Sequence, residues 1–288
     1  MHRFTVIFED GPVDMDRIAR SGQMFRWRVV DGGWEILDGD HHFRVRSSGP
    51  ASFEVEGNQP EEVFRRLFRL EVRHDETIER ILAIGPELEP FCRDRVGLRL
   101  MRPHSRAETL FSFLCSANNH VSRITSMVWK LASYGGAGFP SVARIASVTE
   151  QELRETGFGY RGATIPRVAA TLAGRGGEAF LDELASAGFS VARQELLALP
   201  GVGRKLADCI CLFALDYGES VPIDTHIWQV MTRLYYPQWA GTSLTESRYE
   251  TAAGDFRDRF GELAGAAHQF LFVDNMERYR DRKAPLSS

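Results

Sequence analysis

Short stretches of alternating hydrophobic and polar residues fill much of the first sixty positions of the chain. Alternation with a period of two places the apolar side chains on one face of a β-strand. Clusters of Gly, Asp, Ser and Pro at 31–33, 38–40 and 47–50 separate the stretches, as hairpin turns would. The pattern predicts a twisted antiparallel sheet with strands at 34–37, 43–45 and 53–55.

The hydrophobic period changes to that of a helix after Pro60, where Val63, Leu67 and Leu70 share a face. From about residue 104 onward the chain is predicted to be helical throughout. Ser105 can cap one helix, and a second helix begins near His120. Further helices are predicted at 149–156, 163–173, 191–198, 204–216, 224–235, 246–260 and 263–281.

These elements predict an α+β protein with two parts. Residues 1–103 form a domain with a twisted antiparallel β-sheet and some helices, and it packs on a mainly α-helical body at 104–288. We find no internal repeat and no long low-complexity linker, which favours one tightly joined body.

A glycine turn, Leu199-Pro200-Gly201-Val202-Gly203, joins two amphipathic helices of this body. Gly201 and Gly203 permit positive φ angles and leave backbone N–H groups uncovered at a helix start, where they can bind a phosphate. This is the helix-hairpin-helix pattern, which spans about 191–216 here. A turn without a ligand is the alternative, and two apolar anchors beside the glycines favour the phosphate site.

Lys205 lies in the first turn behind the glycines, in a chain that contains only two other lysines, Lys130 and Lys283. Lysine can lose its proton and act as a nucleophile, whereas arginine stays protonated. The positive end of the helix dipole favours the neutral amine, although a solvated surface cation is the usual fate of lysine. Cys209, four residues on, shares the helix face of Lys205.

Asp224 follows a Val-Pro-Ile run and precedes Thr225 and His226. An aspartate at this position is a good N-cap for the next helix. It is also a lone carboxylate nineteen residues after the candidate nucleophile. The cap and a catalytic role do not exclude each other.

Composition narrows the class of protein only modestly. The apolar and charged fractions, 43% and 26%, are ordinary for a globular protein. No apolar run approaches a membrane span of roughly 18 residues, and the N-terminus turns acidic within ten residues, unlike a signal peptide. We therefore expect a cytoplasmic protein without membrane contact. Its four scattered cysteines are predicted to be buried thiols rather than metal ligands: Cys92, Cys115, Cys209 and Cys211.

The net charge of −4 argues mildly against a nucleic-acid partner, but the charge distribution is uneven. Ten arginines lie between residues 65 and 106. They form either a local basic face or ordinary solvated helix surfaces. The sequence leaves both interpretations open.

Taken together, five segments resemble the helix-hairpin-helix, Gly/Pro/Asp DNA glycosylases of base excision repair, and among them most closely the 8-oxoguanine DNA glycosylases. Two of these segments are LPGVGRKLADCICLFALD and the Gly/Pro/Asp loop at about 217–228, which contains VPIDTHIW. The others are SGQMFRW at 21–27, CSANNH with Arg123 at 115–123, and GYR at 159–161. It implies a bifunctional DNA glycosylase/AP lyase that needs no cofactor. Its partner would be double-stranded DNA with 8-oxoguanine opposite cytosine, bound by a nucleoid-associated monomer.

The resemblance also implies roles for single residues. Lys205 would be the nucleophile and Asp224 the carboxylate that supports it. Gly22 would offer its carbonyl to the N7–H of 8-oxoguanine, and Cys209 would line the base pocket. The residues implied in DNA binding are Asn118, Arg123, Arg161, Gly201, Gly203 and His226.

Two positions depart from the family pattern. The family places Gln, and four residues later Phe, against the flipped base; ungapped alignment puts His268 and Phe272 there, while Gln269 would need a one-residue slip. His120 stands where a third Asn is usual. Two rival functions remain: a monofunctional alkylpurine glycosylase that uses Asp224 alone, and a non-catalytic DNA-binding module. Relatives with an iron–sulfur cluster carry clustered C-terminal cysteines, and no cysteine follows Cys211 here.

Overall fold

The computed structural model describes residues 1–283, with side chains through Arg280; residues 284–288, which belong to the predicted helical body, lie outside it. Five strands form one antiparallel sheet in the order β1-β5-β4-β3-β2. The predicted twisted sheet and its hairpins are confirmed, and the structure adds strands at both edges. The strands are β1 (His2–Ile7), β2 (Trp27–Val30), β3 (Gly33–Asp38), β4 (His41–Gly49) and β5 (Ser52–Gly57).

The described residues contain fifteen α-helices, of which α1 lies between β1 and β2 and the others follow β5. The predicted helical body is confirmed. Ser105 caps α5 by accepting a hydrogen bond from the Glu108 N–H at 3.2 Å, as its position predicted. The helices are α1 (Met15–Arg20), α2 (Glu61–Leu67), α3 (His74–Ile84), α4 (Glu89–Arg93), α5 (Arg106–Ser116), α6 (Val121–Ala132), α7 (Val142–Ala146), α8 (Glu150–Glu155), α9 (Arg161–Ala173), α10 (Glu178–Leu184), α11 (Phe189–Leu197), α12 (Arg204–Phe213), α13 (Thr225–Leu234), α14 (Glu246–Phe260) and α15 (Ala264–Lys283).

Two hydrophobic clusters form the core, and they do not follow chain order. The first joins the sheet and α1–α4 to the buried faces of α13–α15. The second is built from α5–α12 and receives Phe25 from the N-terminal part. The last third of the chain thus packs on the first hundred residues. The boundary at 103/104 stays a prediction about domains.

Buried ion pairs join distant parts of the chain. Arg26 and Glu108 are both buried and lie 2.5 Å apart, which ties the strand that follows Arg26 to α5. Arg95 contacts Asp274 of α15 at 2.8 Å. Buried charges are tolerated only with such partners, so each pair fixes how two segments meet.

Most of the clustered arginines between residues 65 and 106 contact carboxylates, so the structure does not support a basic face built from them. Arg69 and Arg102 both pair with Asp216, and Arg99 pairs with Asp10. Others pair along or between helices: Arg65–Glu61, Arg73–Asp75, Arg93–Glu79 and Arg106–Asp182. Within residues 1–283, no helix combines the length and apolarity needed to cross a membrane.

Candidate active site

The glycine turn between α11 and α12 uses its two glycines for different reasons. Gly201 has φ +81°, and a Cβ there would lie 2.8 Å from the Thr164 methyl carbon, so both backbone and packing require glycine. Gly203 is the N-cap of α12 with φ −90°, and nothing lies within 4 Å of a Cβ built on it. Its missing side chain therefore leaves the helix start open to a ligand.

Lys205 lies half-buried in the first turn of α12, directly behind this opening. Its Nζ donates a hydrogen bond to the Ser116 Oγ at 3.2 Å and lies 5.8 Å from the centre of the Phe113 ring. Both partners belong to the last turns of α5. The amine thus sits between the two helices and is only partly exposed to solvent.

Asp224 is the N-cap of α13, as the sequence predicted. Its Oδ1 accepts hydrogen bonds from the backbone N–H groups of His226 and Ile227, both at 2.9 Å. Because both bonds go to Oδ1, the cap does not require Oδ2. The carboxylate is only partly exposed to solvent.

Lys205 and Asp224 both lie close enough to Cys209 and His268 to influence their pKa values. Burial raises the pKa of the Cys209 thiol to about 11, with the charges of Lys205 and Asp224 acting in opposite directions. Burial also lowers the pKa of His268 to about 4, again with opposite contributions from Asp224 and Lys205. The amine and the carboxylate therefore act on one small region, in which the thiol is protonated and the imidazole is neutral at pH 7.

The imidazole of His268 has a defined tautomer. Its Nε2 lies 2.7 Å from the Pro222 carbonyl oxygen, which can only accept, so Nε2 carries the proton. Nδ1 is buried and has no hydrogen-bond partner among the described residues. His268 thus presents an unused acceptor beside the ring of Phe272, which is parallel to it with centroids 6.2 Å apart.

Phe272 connects this region to Gly22. Gly22 has φ +74°, and a Cβ there would meet the edge of the Phe272 ring at 3.5 Å. The same ring contacts His226 edge to face, with centroids 6.2 Å apart. His226 is held in turn by Asn275, whose Nδ2 lies 3.2 Å from its Nδ1.

The side chain of Gln269 is already hydrogen-bonded within the fold. Its Nε2 donates to the Ser21 carbonyl at 3.0 Å, and the side chain is buried. It also lines a surface cleft of about 450 Å³ together with Arg99 and Asp216, and neither Lys205 nor Asp224 lines that cleft. The geometry favours the ungapped pairing of His268 with Phe272 over the pairing that uses Gln269.

The three residues implied in contacts with the opposite strand lie near the end of α5. Asn118 is exposed and has φ +53°, a left-handed backbone conformation that residues other than glycine adopt rarely. Arg123 is exposed on α6. Arg161, by contrast, is buried and donates a hydrogen bond to the Ala117 carbonyl, so it supports the Asn118 loop in this state.

The profile of the HhH-GPD superfamily of base excision DNA repair proteins matches residues 111–252, which include the hairpin, Lys205 and Asp224. N-glycosylase/DNA lyase OGG1 of Arabidopsis thaliana is 38% identical over 200 residues, or 65% of this chain and 54% of that protein. The Clostridium acetobutylicum 8-oxoguanine glycosylase/lyase in its apo-form has a TM-score of 0.79 at 26% identity, covering 93% of this chain and 95% of that one.

Residues 111–252 of the chain form a domain of the HhH-GPD superfamily. The same Clostridium protein in complex with double-stranded DNA containing cytosine opposite 8-oxoG matches the fold with a TM-score of 0.82 at 24% identity, covering 96% of this chain and 98% of that one. The chain spans about half the length of the Arabidopsis relative. Recognition of the superfamily from the hairpin and the Val-Pro-Ile-Asp loop is confirmed.

The sequence did not predict the groups that contact Lys205 and His268 and orient them. Ser116 and Phe113 contact the Lys205 amine, and the Pro222 carbonyl sets the tautomer of His268. The only signal was indirect, because Ser116 lies inside the CSANNH segment and Pro222 inside the Val-Pro-Ile run. No residue spacing predicts that a backbone carbonyl will face a helix 46 residues later.

Proposed function

We propose that this protein is a bifunctional DNA glycosylase/AP lyase that removes 8-oxoguanine, preferably opposite cytosine, in base excision repair. The observation that carries the proposal is the placement of Lys205 and Asp224. A half-buried amine lies directly behind a glycine turn with an open helix start, and it shares two neighbours with a capping carboxylate. A DNA phosphate at the turn would bring the adjacent sugar to the amine.

The chemistry assigns one role to each group. Neutral Lys205 would attack the anomeric carbon of the extruded nucleotide and displace the base. Asp224 would stabilise the positive charge that develops on the sugar. The resulting Schiff base between Lys205 and the opened sugar would promote β-elimination, which cuts the strand on the 3′ side.

Recognition of the base would use Gly22, His268 and Phe272. The Gly22 carbonyl would accept from N7–H of 8-oxoguanine, and guanine lacks this hydrogen, so a buried acceptor would remain unpaired with the normal base. Nδ1 of His268 is the unpaired acceptor available for the Watson–Crick edge, whose N1–H and amino group are donors. Phe272, whose ring lies near Gly22, would stack on the base.

The contacts to the duplex would come from the surface around the hairpin. Lys205 contacts Ser116, Arg161 contacts the next residue, and Thr164 of α9 lies against Gly201, so these segments are continuous. Gly203, together with Gly201, would hold one phosphate, and His226 would hold another.

Asn118 would fill the space left by the extruded base, and Arg123 and Arg161 would hydrogen-bond the orphaned cytosine. Arg161 must then exchange its bond to the Ala117 carbonyl for one to DNA. We propose a monomer that acts on the nucleoid.

Borohydride trapping on a duplex with 8-oxoguanine opposite cytosine tests the proposal. Wild type should form a covalent protein–DNA adduct, and Lys205→Gln should form none, since borohydride reduces only a Schiff base. Lys130→Gln is the matched control, because the Lys130 amine lies away from the site, bonded to the Thr156 carbonyl at 2.8 Å. It should trap DNA as wild type does.

Other outcomes identify the rival functions. Base release without an adduct in both wild type and Lys205→Gln would mean a monofunctional enzyme that depends on Asp224. Activity on alkylated purines but not on 8-oxoguanine would identify the protein as an alkylpurine glycosylase. Binding of DNA without release of any base would identify the protein as a non-catalytic DNA-binding module.

A further inference from the structure

A second group of potential ligand atoms lies at the junction of the N-terminal sheet with α5. Asp38, His41 and His104 each offer one side-chain ligand atom, and these atoms all lie within 4.8 Å of one another. Asp38 ends β3 and His41 begins β4, so the first two come from one hairpin. His104 arrives from the segment just before α5.

Asp38 is a carboxylate held in place rather than a free surface charge. It is 1% exposed, and its two oxygens accept hydrogen bonds from the backbone N–H groups of His104 and Ser105 at 2.5 and 2.9 Å. Each oxygen keeps a further lone pair. The carboxylate can therefore bind a cation without giving up the bonds that position it.

His104 has the proton arrangement that a metal ligand needs. Its Nε2 lies 2.9 Å from the Val63 carbonyl oxygen, so Nε2 must donate and Nδ1 keeps a free lone pair. Histidine ligands in proteins commonly direct their second nitrogen to a backbone carbonyl in this way, which fixes the ring orientation. The ring contacts that of His41 edge to face, with centroids 4.8 Å apart.

His41 supplies the observation that separates this group from an ordinary polar cluster. Its Nδ1 is buried and has no hydrogen-bond partner in the part of the chain that the structure describes. Its Nε2 lies 3.5 Å from the Asp40 carboxylate, which favours the proton on that nitrogen. A buried lone pair without a donor is costly unless something binds it.

The turn between Asp38 and His41 is fixed on both sides. The Gly39 N–H donates to Glu108 at 2.6 Å, and the Gly39 carbonyl accepts from Arg26 at 2.7 Å and from the Phe139 N–H at 2.9 Å. The hairpin cannot move far relative to α5. The three ligand atoms are therefore held near each other before any ion arrives.

We propose that Asp38, His41 and His104 form a binding site for a divalent zinc ion. Two imidazoles and one carboxylate are a ligand set that Zn²⁺ accepts, with water in the fourth position, and the hard ions Ca²⁺ and Mg²⁺ prefer oxygen ligands. Zn–N and Zn–O bonds of about 2.0–2.2 Å place the ligand atoms roughly 3.3 Å apart. On binding, the ligand atoms of the three residues must therefore approach one another by up to about 1.5 Å. Rotation of the His41 imidazole, whose contact is with the exposed Asp40 carboxylate at 3.5 Å, would supply this movement.

Such a site would connect the β3–β4 turn to the segment that leads into α5. Helix α5 carries Phe113 and Ser116, which contact Lys205 at its other end. A bound ion would therefore fix the helix that supports the amine, without contacting the amine itself. Zinc binding at this site would not require DNA or the excised base.

Zinc titration of the full-length, EDTA-stripped protein tests the site, with a chromophoric chelator as competitor. We expect one equivalent of Zn²⁺ and a higher melting temperature in its presence. His41→Ala and His104→Ala should each weaken binding by about 100-fold or more. His42→Ala is the matched control, since this neighbouring histidine contacts Glu35 at 2.8 Å instead. It should bind zinc as wild type does.

X-ray absorption at the zinc edge of the wild-type protein decides the question even if a variant fails to fold. Nitrogen and oxygen ligands with imidazole scattering are expected. Sulfur ligands would assign the ion to cysteines and overturn the proposal. Absence of stoichiometric zinc, or unchanged affinity in folded His41→Ala, would show that the group is a polar cluster without a metal.

Discussion

Asp224 combines a structural and a proposed catalytic role, and one substitution separates them. In Asp224→Asn the side-chain oxygen can still accept from the His226 and Ile227 N–H groups, so α13 stays capped. We expect the free energy of unfolding to change by less than about 1 kcal/mol. Base excision should fall by about 100-fold or more, because the negative charge is lost.

Single-turnover excision and thermal melting measure the two effects separately. Asp224→Ala is the comparison, since it removes the cap as well and should cost about 1 kcal/mol more stability. Near-wild-type excision by folded Asp224→Asn would exclude a catalytic charge at this position.

His74 makes stability depend on pH. Burial, and next the charge of Arg99, lower its pKa from 6.5 to about 4 in the folded protein. Between pH 6.5 and about 4 the unfolded chain therefore binds more protons than the folded protein. The contribution of neutral His74 to the free energy of unfolding is fully present above pH 6.5 and is lost as the pH falls through about 4. We expect protonation of His74 to lower the free energy of unfolding by up to about 3 kcal/mol over that pH range.

Urea unfolding at pH 7.0 and pH 4.5 measures this dependence. His74→Gln should reduce the difference between the two pH values, and the exposed His2→Gln should leave it unchanged. His268, whose pKa is also lowered to about 4, contributes in the same direction and remains in both variants. An equal pH dependence in His74→Gln and wild type would contradict the assignment.

At the scale of elements, the glycine turn offers a matched pair of substitutions. Gly201→Ala must accommodate φ +81° and a contact of 2.8 Å with Thr164, so we expect a loss of about 1–3 kcal/mol in stability. Gly203→Ala meets nothing within 4 Å and should keep the melting temperature. Its methyl group would obstruct the helix start and weaken DNA binding, by about tenfold if one phosphate contact is lost.

Thermal melting and fluorescence anisotropy with a duplex measure both properties for the two variants. If Gly203→Ala binds DNA as tightly as wild type, the phosphate does not approach the N-terminus of α12. Equal destabilisation by both substitutions would mean that the turn rearranges, and that the open space at Gly203 does not persist.

Helices and hairpins were the elements most readily predicted, because their signals act within a few residues. Ser105 and His120 precede α5 and α6 as expected, and the three predicted strands lie in β3, β4 and β5. Strand β1 was not predicted. Its pairing with β5 joins residues about fifty positions apart, a contact that the local pattern does not contain.

At the scale of the whole molecule, Arg95 joins the first hundred residues to the last helix. Its guanidinium contacts Asp274 at 2.8 Å, and both side chains are buried. Arg95→Ala would leave Asp274 with the more exposed Arg278 as its remaining partner, and we expect a loss of about 3 kcal/mol. Arg65→Ala removes an exposed pair within one helix and should cost less than about 0.5 kcal/mol.

Chemical denaturation of the two variants checks this difference. A cost below about 1 kcal/mol for Arg95→Ala would mean that solvent reaches the Asp274 carboxylate and replaces the lost arginine. Folding of the last third of the chain back onto the sheet would then depend mainly on the hydrophobic cluster that the two parts share.

The arginines show why a charge pattern by itself misleads. The ten arginines between residues 65 and 106 were compatible with a basic face as well as with solvated helix surfaces, but carboxylates from Asp10, Asp182, Asp216 and Asp274 pair with members of the group. These partners lie far away in the chain. Only the folded molecule shows which charges meet, so the electrostatic surface could not be predicted from the run.

The sequence by itself determined the helices, the hairpins, the glycine turn, and the positions of Lys205 and Asp224 on their elements, because propensity and capping act over a few residues. The tertiary structure decided what surrounds them: Ser116 at the amine, the Pro222 carbonyl at His268, and the orientation of Gln269 toward Ser21. It also brought His104 beside Asp38 and His41. Such contacts depend on how distant segments of the chain pack together in the two hydrophobic clusters, and a local sequence pattern does not contain that information.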